Sequence, residues 1–534
     1  MKQFQGTAAS GGICIAPCFR QQQAPAPARQ QLSPGEELSH FEGARKAALA
    51  ELLALREEGT TREAREIFAT HAMMLTDEDF LDTVRRIITL QQHSAASAVK
   101  AAVGEFSSMF EEMDSAYMRE RAADVREIGT RLLRLLSGQV AAQPDTRCIL
   151  CAAELSAADT ASFDPAIVCG FATEDGTAAS HAAILARAKG IPAVVGLGEA
   201  LRTVDAGTLL ILDGSSGIVI ADPDTATLCR YEAALKKQTQ RNEQLHRLAA
   251  EESRTADGHK VIIAANIGTP DEVESALKNG AEGVGLMRSE FLFLSSPTPP
   301  TEEMQFEAYK SVLTEMHGQR VVIRTLDIGA DKQAPCLPLP AEPNPALGCR
   351  AIRVSLARRD LFAAQIRALL RAAKFGHLAV MFPLIISLAE VREIKRFVAL
   401  QKTALTAGGY EVGSFEFGIM IETPAAALIS DSLAQEVDFF SIGTNDLTQY
   451  TLAADRTNPA VAALCDPHHP AVLGLISVAA ESARRYGKPV AVCGEAAADP
   501  ALAEAFLRMG ITELSVSPAA VLPLREAVRS FHLD

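Results

Sequence analysis

The 534-residue chain contains no tryptophan, few aromatic residues and no long apolar run. Nowhere do its apolar residues approach the roughly 18 consecutive positions that a membrane-spanning helix needs. Its ten cysteines are too sparse for a disulfide scaffold in a chain of this length. The first residues, Met1-Lys2-Gln3-Phe4-Gln5, lack the apolar segment of a secretory signal. We therefore expect a cytoplasmic protein.

Positive charge is also in deficit. The net charge of −15 disfavours nucleic acids and anionic membranes as partners.

Cys148 and Cys151 have CxxC spacing, but they lie in an apolar, strand-like run and the chain has no second CxxC pair. Because strand positions three apart point to opposite faces, we predict that these cysteines pack in a core and bind no metal.

Composition and periodicity divide the chain into segments. A hydrophobic content of 48% provides material for two or three cores. Residues 1–20 and 145–222 have short apolar runs broken by Gly, Pro and Asp, which predicts one α/β domain. Residues 21–144, which are largely helical in pattern, form an insert within it. The pattern of residues 223–252 predicts a linker helix. Residues 253–534 form a third region.

The third region repeats one theme. Eight apolar runs occur at 261–265, 283–287, 321–326, 378–384, 415–421, 437–442, 489–493 and 513–516, and helical stretches separate most of them. Alternating strands and helices imply a parallel sheet. Eight such units in about 275 residues predict a closed (β/α)8 barrel rather than an open sheet.

Polar residues follow these runs, where a barrel of this kind collects its chemistry. They are Asn266, Arg288, Arg324 with Asp327, Glu422, Asn445 with Asp446, and Cys493 with Glu495. Glu422 and Asp446 end neighbouring strands, so both carboxylates can bind one hard cation such as magnesium. The regularity of the pattern favours a functional site.

Arginines at the same edge indicate the ligand. Arg288, Arg324 and Arg456 provide forks suited to phosphate and carboxylate. A small anion with both groups is implied; phosphoenolpyruvate fits, as do other phosphorylated acids. Cys493 is a candidate proton donor for an enolate carbon, and its alternative role is buried packing.

His181 follows the small and hydroxylated residues 176–180 and precedes an apolar helical pattern. Unpaired amides at a helix start stabilise an anion, so this imidazole is a candidate phosphoryl acceptor. The alternative is a histidine that caps or packs.

Taken together, these motifs resemble enzyme I of the phosphoenolpyruvate-dependent sugar phosphotransferase system, from about Gly6 to the C-terminus. The specific stretches are NGAEGVGLMRSEFLF at 279–293, RTLDIG at 324–329, IMIETP at 419–424, DFFSIGTNDLTQY at 438–450 and, in the helical block, ERAADVREIG at 120–129.

The resemblance implies a swivelling phosphohistidine domain with a helical insert, followed by a barrel that dimerises and binds phosphoenolpyruvate and magnesium, although manganese is an alternative. It implies transfer of the phosphoryl group to the chain's own histidine and then to a histidine-containing phosphocarrier protein. The implied roles are phosphoryl acceptor for His181, proton donor for Cys493, substrate binding for Arg288, Arg324, Arg350, Asn445 and Arg456, and metal binding for Glu422 and Asp446. His71, Met74 and Leu75 lie on the corresponding docking helix, but they could equally be core.

The loop before His181 departs from the family's pattern. A basic residue is replaced by Ala178, and a threonine by Ala179. One alternative is therefore a regulatory phosphoprotein that does not feed sugar uptake. Another is a pyruvate phosphate dikinase or phosphoenolpyruvate synthase, but residues 21–143 are too short for its nucleotide domain and show no glycine-rich loop.

Overall fold

The computed structural model describes two compact units, Met1–Gln240 and Arg241–Asp534. The described residues are 1–20, 32–58, 62–111, 116–137, 144–155, 160, 163–178, 180–294, 298–329, 334, 336–340, 342–458 and 460–533. Ala179 lies outside this set, as does the side chain of His181, whose backbone is described. Within it, no helix is long and apolar enough to cross a bilayer.

An eight-stranded mixed sheet forms the centre of the first unit. Its strands run in the order β1-β8-β7-β3-β4-β5-β6-β2. They are β1 Lys2–Gln5, β2 Thr7–Ser10, β3 Ile13–Arg20, β4 Cys148–Ala152, β5 Val168–Thr173, β6 Ala193–Val195, β7 Leu209–Asp213 and β8 Ile218–Ala221. The sheet confirms that the N-terminal strands complete an α/β fold across the helical insert.

The described residues between β3 and β4 are mainly helical. The helices are α1 Pro34–Glu58, α2 Arg62–Met74, α3 Glu78–Gln91, α4 Ala95–Glu111 and α5 Ala116–Ser137. In α3 the apolar positions recur at helical spacing, so Phe80, Leu81, Val84, Ile87 and Ile88 are all buried. The helices pack around one apolar cluster, which confirms the all-helical insert.

Two further helices follow the helical insert in the chain. Helix α6, His181–Lys189, lies between β5 and β6. Helix α7, Thr225–Arg247, is largely exposed and runs from the first unit into the second.

Eight parallel strands close into a barrel in the second unit. They are β9 Ile262–Ile267, β10 Val284–Arg288, β11 Arg320–Arg324, β12 His377–Phe382, β13 Glu416–Ile421, β14 Phe439–Ile442, β15 Val490–Val492 and β16 Glu513–Val516. Strand β16 pairs with β9 to complete the ring. Each strand coincides with one apolar run of the sequence, so the (β/α)8 prediction is confirmed.

Helices surround this barrel and bury its outer face. They are α8 Val273–Lys278, α9 Phe291–Leu294, α10 Glu302–Glu315, α11 Ile352–Ala357, α12 Arg359–Ala372, α13 Leu388–Ala407, α14 Pro424–Leu428, α15 Ser430–Ala434, α16 Thr444–Leu452, α17 Pro470–Arg485, α18 Pro500–Arg508 and α19 Val521–Val528.

The CxxC cysteines behave as predicted for core residues. Cys148 and Cys151 are both buried free thiols. Cys151 belongs to the apolar cluster on one face of the sheet, whereas Cys148 belongs to the cluster on the other face. The alternation of side chains along a strand separates the two sulfurs.

Candidate active site

The carboxyl end of the barrel gathers the charged residues of the second unit that the sequence singled out. Arg288 and Arg324 are the last residues of β10 and β11, and the two are paired in register. Glu422 directly follows β13, Asp446 lies in the first turn of α16 after β14, and Cys493 directly follows β15. Parallel strands present their carboxyl ends at the same rim, so residues distant in sequence are brought to one place.

Buried ion pairs connect this rim. Arg324, which is 6% exposed, pairs with Glu290 and lies 2.9 Å from Asp327. Arg350 donates to Asp327 at 2.9 Å and to Asp446 at 3.0 Å. Asp327 therefore bridges two arginines, and each buried cation has carboxylate partners that offset the cost of burying it.

Glu422 is buried among charged side chains of both signs. It is 2% exposed and accepts a hydrogen bond from the Leu384 amide at 2.5 Å. Leu384 adopts a φ of +56°, a conformation that costs energy in a residue other than glycine and often marks a functional site. Burial and the neighbouring carboxylates of Asp446 and Asp327 raise the pKa of Glu422 to about 8.

Cys493 is buried beside this cluster. The Ser441 hydroxyl donates to its sulfur at 3.1 Å, and the Asn266 amide donates to its backbone carbonyl at 3.0 Å. Burial raises the pKa of the thiol to about 11. At neutral pH Cys493 therefore carries a proton, which is the state required of a proton donor.

Arg456 and Asn445 stand at the solvent side of the rim. Arg456 lies 3.6 Å from Asp446, and 37% of its side chain is exposed. Asn445 donates to Glu495 at 3.3 Å and accepts from the Glu495 amide at 3.2 Å. Both side chains are accessible to a ligand entering from solvent.

Sequence reasoning assigned no role to two residues of this network. Glu290 pairs with Arg324, and Tyr450 contacts Arg350: the Tyr450 hydroxyl accepts from Arg350 at 3.1 Å and donates to the Ala346 carbonyl at 2.5 Å. Both lie inside the motif stretches, two residues after Arg288 and four after Asp446. That proximity was the available signal.

His181 belongs to the first unit, where it is the first residue of α6. Ser180 caps the helix by accepting a hydrogen bond from the Ala183 amide at 3.4 Å. Arg187 donates to the carbonyls of Ala178 at 2.9 Å and Ala9 at 2.7 Å, and thereby ties the preceding loop to β2. The position of His181 at a helix start agrees with the sequence analysis.

The suggested docking residues, for which the sequence left a core role open, lie mostly inside the helical block. His71 is 1% exposed and contacts Asp124 at 3.3 Å. Leu75 is fully buried and Met74 is half-buried, whereas Met73 is 73% exposed. Positions 71 and 75 are four residues apart and both face the interior of the helical block, whereas Met73 faces outward.

Known proteins match the chain along its length. The PEP-utilising enzyme, PEP-binding domain, matches residues 242–533. The N-terminal and mobile domains of PEP-utilising enzymes match residues 5–121 and 144–217. The chain belongs to this family.

Relatives named phosphoenolpyruvate-protein phosphotransferase are similar over nearly their full length. The protein from Bacillus sp. (strain S) is 43% identical over 99% of this chain and 93% of its own. The protein from Bacillus subtilis (strain 168) is 41% identical over 99% of this chain and 94% of its own. Within the PEP-utilising enzymes, the chain belongs to the phosphoenolpyruvate-protein phosphotransferases.

Proposed function

We propose that this protein transfers the phosphoryl group of phosphoenolpyruvate to its own His181 and then to a histidine of a phosphocarrier protein. Pyruvate is released, and the reaction is the first step of sugar uptake by a phosphotransferase system. The observation that carries the proposal is the barrel rim itself, where arginines, paired carboxylates and a protonated thiol converge. Family membership supports it, and the comparisons favour neither the regulatory phosphoprotein nor the dikinase alternative.

The arginines bind the substrate. Arg288 and Arg324 end adjacent strands, and permanent positive charge there neutralises the phosphate as the bond to the enolate oxygen breaks. Arg350, Asn445 and Arg456 complete the binding set. Arg350 is already fixed by Asp327, Asp446 and Tyr450, so little conformational freedom is lost when the substrate binds.

Magnesium fits Glu422 and Asp446, and manganese is the alternative. Burial and, after it, repulsion from the Asp446 carboxylate raise the pKa of Glu422, and a divalent cation between the two carboxylates would relieve that repulsion. Two carboxylates with substrate oxygens and water make a typical magnesium shell. The described residues contain no group of three or more His, Cys, Asp or Glu placed for a metal. When bound, the cation supplies charge neutralisation at the phosphate.

Cys493 protonates the enolate carbon. Its thiol is buried and protonated at neutral pH, and Ser441 donates to the sulfur, which stabilises the thiolate left after the proton is given. Protonation at carbon converts the enolate to pyruvate.

His181 is the phosphoryl acceptor. The amides of the first turn of α6 and the dipole of that helix stabilise the anion that forms there. We assign residues 1–20 and 145–222 to a swivelling phosphohistidine domain, 21–144 to docking, 223–252 to a linker and 253–534 to the barrel. The phosphocarrier protein is the partner, the barrel forms the homodimer, and the protein acts in the cytoplasm.

A labelling experiment tests the proposal. The purified chain is incubated with magnesium and phosphoenolpyruvate radiolabelled in the phosphoryl group, and protein-bound label and pyruvate are followed. We expect an acid-labile phosphoprotein with release of pyruvate, no label in His181→Ala, and normal label in His93→Ala, a control at an exposed histidine of the helical block. Absence of label in the unaltered chain under conditions where phosphoenolpyruvate binds would refute the proposal.

A further inference from the structure

One face of the first unit's sheet concentrates thiols. Cys14, Cys18, Cys151 and Cys169 belong to the same buried cluster, beside the apolar residues of β3, β4, β5 and β7. All four are unbridged. The phosphotransfer chemistry proposed above uses none of them.

An irregularity in the sheet places Cys169 beside Cys14. The pairing of β4 with β5 changes from Cys148 opposite Val168 to Ile149 opposite Gly170, so Cys169 is an extra residue in its strand. Val168 packs on the far face of the sheet, whereas Cys169 packs on the face that holds Cys14. The register shift therefore turns the Cys169 sulfur towards the thiol cluster.

Gly170 makes the room for this arrangement. A Cβ at position 170 would lie 2.3 Å from the Cys14 sulfur, a distance that no side chain tolerates. The sulfur of Cys14 therefore occupies the space that a side chain next to Cys169 would fill. The Cys14 and Cys169 thiols therefore lie close enough to influence each other's ionisation.

The surroundings of Cys169 favour its reactive form. As a thiol it donates to the Cys148 carbonyl at 3.3 Å, and the neighbouring Cys14 thiol and Arg147 guanidinium favour its thiolate form. The Cys14 thiol and Arg147 lower the pKa of Cys169 to about 6, although burial opposes them. A thiolate at neutral pH is the nucleophilic form of cysteine.

Access distinguishes this pair from its neighbour. Cys18 and Cys151 also influence each other's ionisation, but they are 3% and 0% exposed. Cys169 is 9% exposed, and Arg147 beside it lies at the surface. Among the four thiols of this cluster, Cys169 is therefore the most accessible to a small oxidant.

We propose that Cys169 and Cys14 form an oxidation site in which Cys169 reacts with a hydroperoxide and Cys14 resolves the product as a disulfide. In the first step, written for hydrogen peroxide, the Cys169 thiolate sulfur bonds to one peroxide oxygen and the O–O bond breaks. The other oxygen takes a proton from solvent and leaves as water (an organic hydroperoxide releases its alcohol instead), and Cys169 becomes a sulfenic acid. In the second step the Cys14 sulfur bonds to the Cys169 sulfur, the S–O bond breaks, and a second water departs with the Cys14 proton. The two thiols lose two electrons, and the peroxide gains them.

The bond ties β3 to β5, the strand that precedes the loop and helix of His181 in the chain. A dithiol reductant reduces this disulfide and restores both thiols, so the modification is reversible.

Peptide mapping of the full chain tests the site. The protein is treated with hydrogen peroxide, its remaining thiols are alkylated under denaturing conditions, and the disulfide-linked peptides are identified by mass spectrometry. We expect a Cys14–Cys169 peptide that dithiothreitol removes. Linkage of Cys18 to Cys151 in its place, or oxidation confined to the exposed Cys229 and Cys349, would overturn the proposal, and neither result depends on a variant folding.

Variants separate the two roles. In Cys14→Ser, Cys169 should accumulate as a sulfenic acid that dimedone labels, whereas in Cys169→Ser the disulfide and the dimedone adduct should both be absent. Cys148→Ser is the matched control, because Cys148 lies in the same region on the opposite face and its loss should leave the disulfide intact. A Cys169→Ser protein that still bonds Cys14 to another residue would contradict the assignment.

Discussion

At the scale of single residues, the barrel rim depends on side chains that hold other side chains in place. Arg350 has three partners, and Asp327 is shared between Arg350 and Arg324. Buried charges arranged in this way are strongly dependent on one another, because the loss of one partner leaves another charge uncompensated. Substitutions next to the substrate-binding residues should therefore affect substrate use as well as folding.

Tyr450→Phe tests this dependence. The variant removes the hydroxyl that accepts from Arg350 and donates to Ala346, while the ring remains. We expect kcat/KM for phosphoenolpyruvate in the labelling reaction to fall about 10-fold, as for loss of a hydrogen bond to a charged group. Tyr486→Phe, a change at a partly exposed tyrosine bonded to Gln435, is the control. Equal effects of the two variants would contradict a positioning role.

Gly418→Ala tests packing inside the barrel. The Phe439 ring occupies the space of a Cβ at position 418, with the nearest carbon at 2.2 Å. We expect the free energy of unfolding to fall by about 1–3 kcal/mol in denaturant titrations. Gly474→Ala is the opposite case, because no atom lies within 4 Å of a Cβ there and the residue is inside α17; it should stabilise by about 0.5–1 kcal/mol.

At the scale of elements, charge also closes the amino end of the barrel. Arg320 at the start of β11 lies 2.9 Å from Glu416 of β13 and 3.2 Å from Glu513 of β16, and its guanidinium stacks on Phe439. Three strands and the interior ring are thereby joined through one side chain. Burial raises the pKa of Glu513, which shows how costly an unpaired charge is at this end.

Arg320→Ala should therefore destabilise the barrel by about 3–5 kcal/mol at neutral pH, because it leaves the buried Glu513 without its cation and Glu416 with His377 alone. The measurement is denaturant unfolding. Arg392→Ala, which removes an exposed pair with Glu436, should change stability by at most about 1 kcal/mol.

The same variant predicts a pH dependence. Burial raises the pKa of Glu416, but Arg320 and His377 outweigh it and the net pKa is lowered from 4.5. A lowered pKa contributes stability above the unfolded value, and that stability is lost as the pH falls through the folded value. The difference between wild type and Arg320→Ala should thus shrink below about pH 4.5. A difference that grows on acidification would contradict the ion-pair explanation.

At the scale of the whole molecule, the proposed chemistry is divided between two units. The substrate-binding residues all belong to residues 241–534, whereas His181 belongs to residues 1–240. Each unit has its own buried clusters. A ligand of the rim should therefore stabilise one unit and leave the other unchanged.

Calorimetry of the His181→Ala variant tests this division without turnover. We expect two transitions, of which phosphoenolpyruvate with magnesium raises only the one that Gly418→Ala lowers. At 100 times the dissociation constant the ligand contributes about 2.7 kcal/mol. A shift of both transitions by the same amount would show that the units unfold together.

The sequence alone determined the barrel and the positions of its polar residues. Eight strand-length apolar runs that alternate with helices over this length favour a closed parallel barrel. The residues that directly follow such strands, Glu422 and Cys493 among them, then lie at the same rim. It equally predicted that His181 begins a helix, because small and hydroxylated residues precede an apolar pattern. These inferences require local information only.

Contacts between distant segments were decided by the tertiary structure. His71 and Leu75 are core residues because helices separated by many positions pack over them, and helical periodicity does not say which face meets a neighbour. The ion pairs of Arg350 and the register shift that brings Cys169 to Cys14 likewise depend on how separate strands align. Such alignments are set by the packing of the whole unit, which no local pattern encodes.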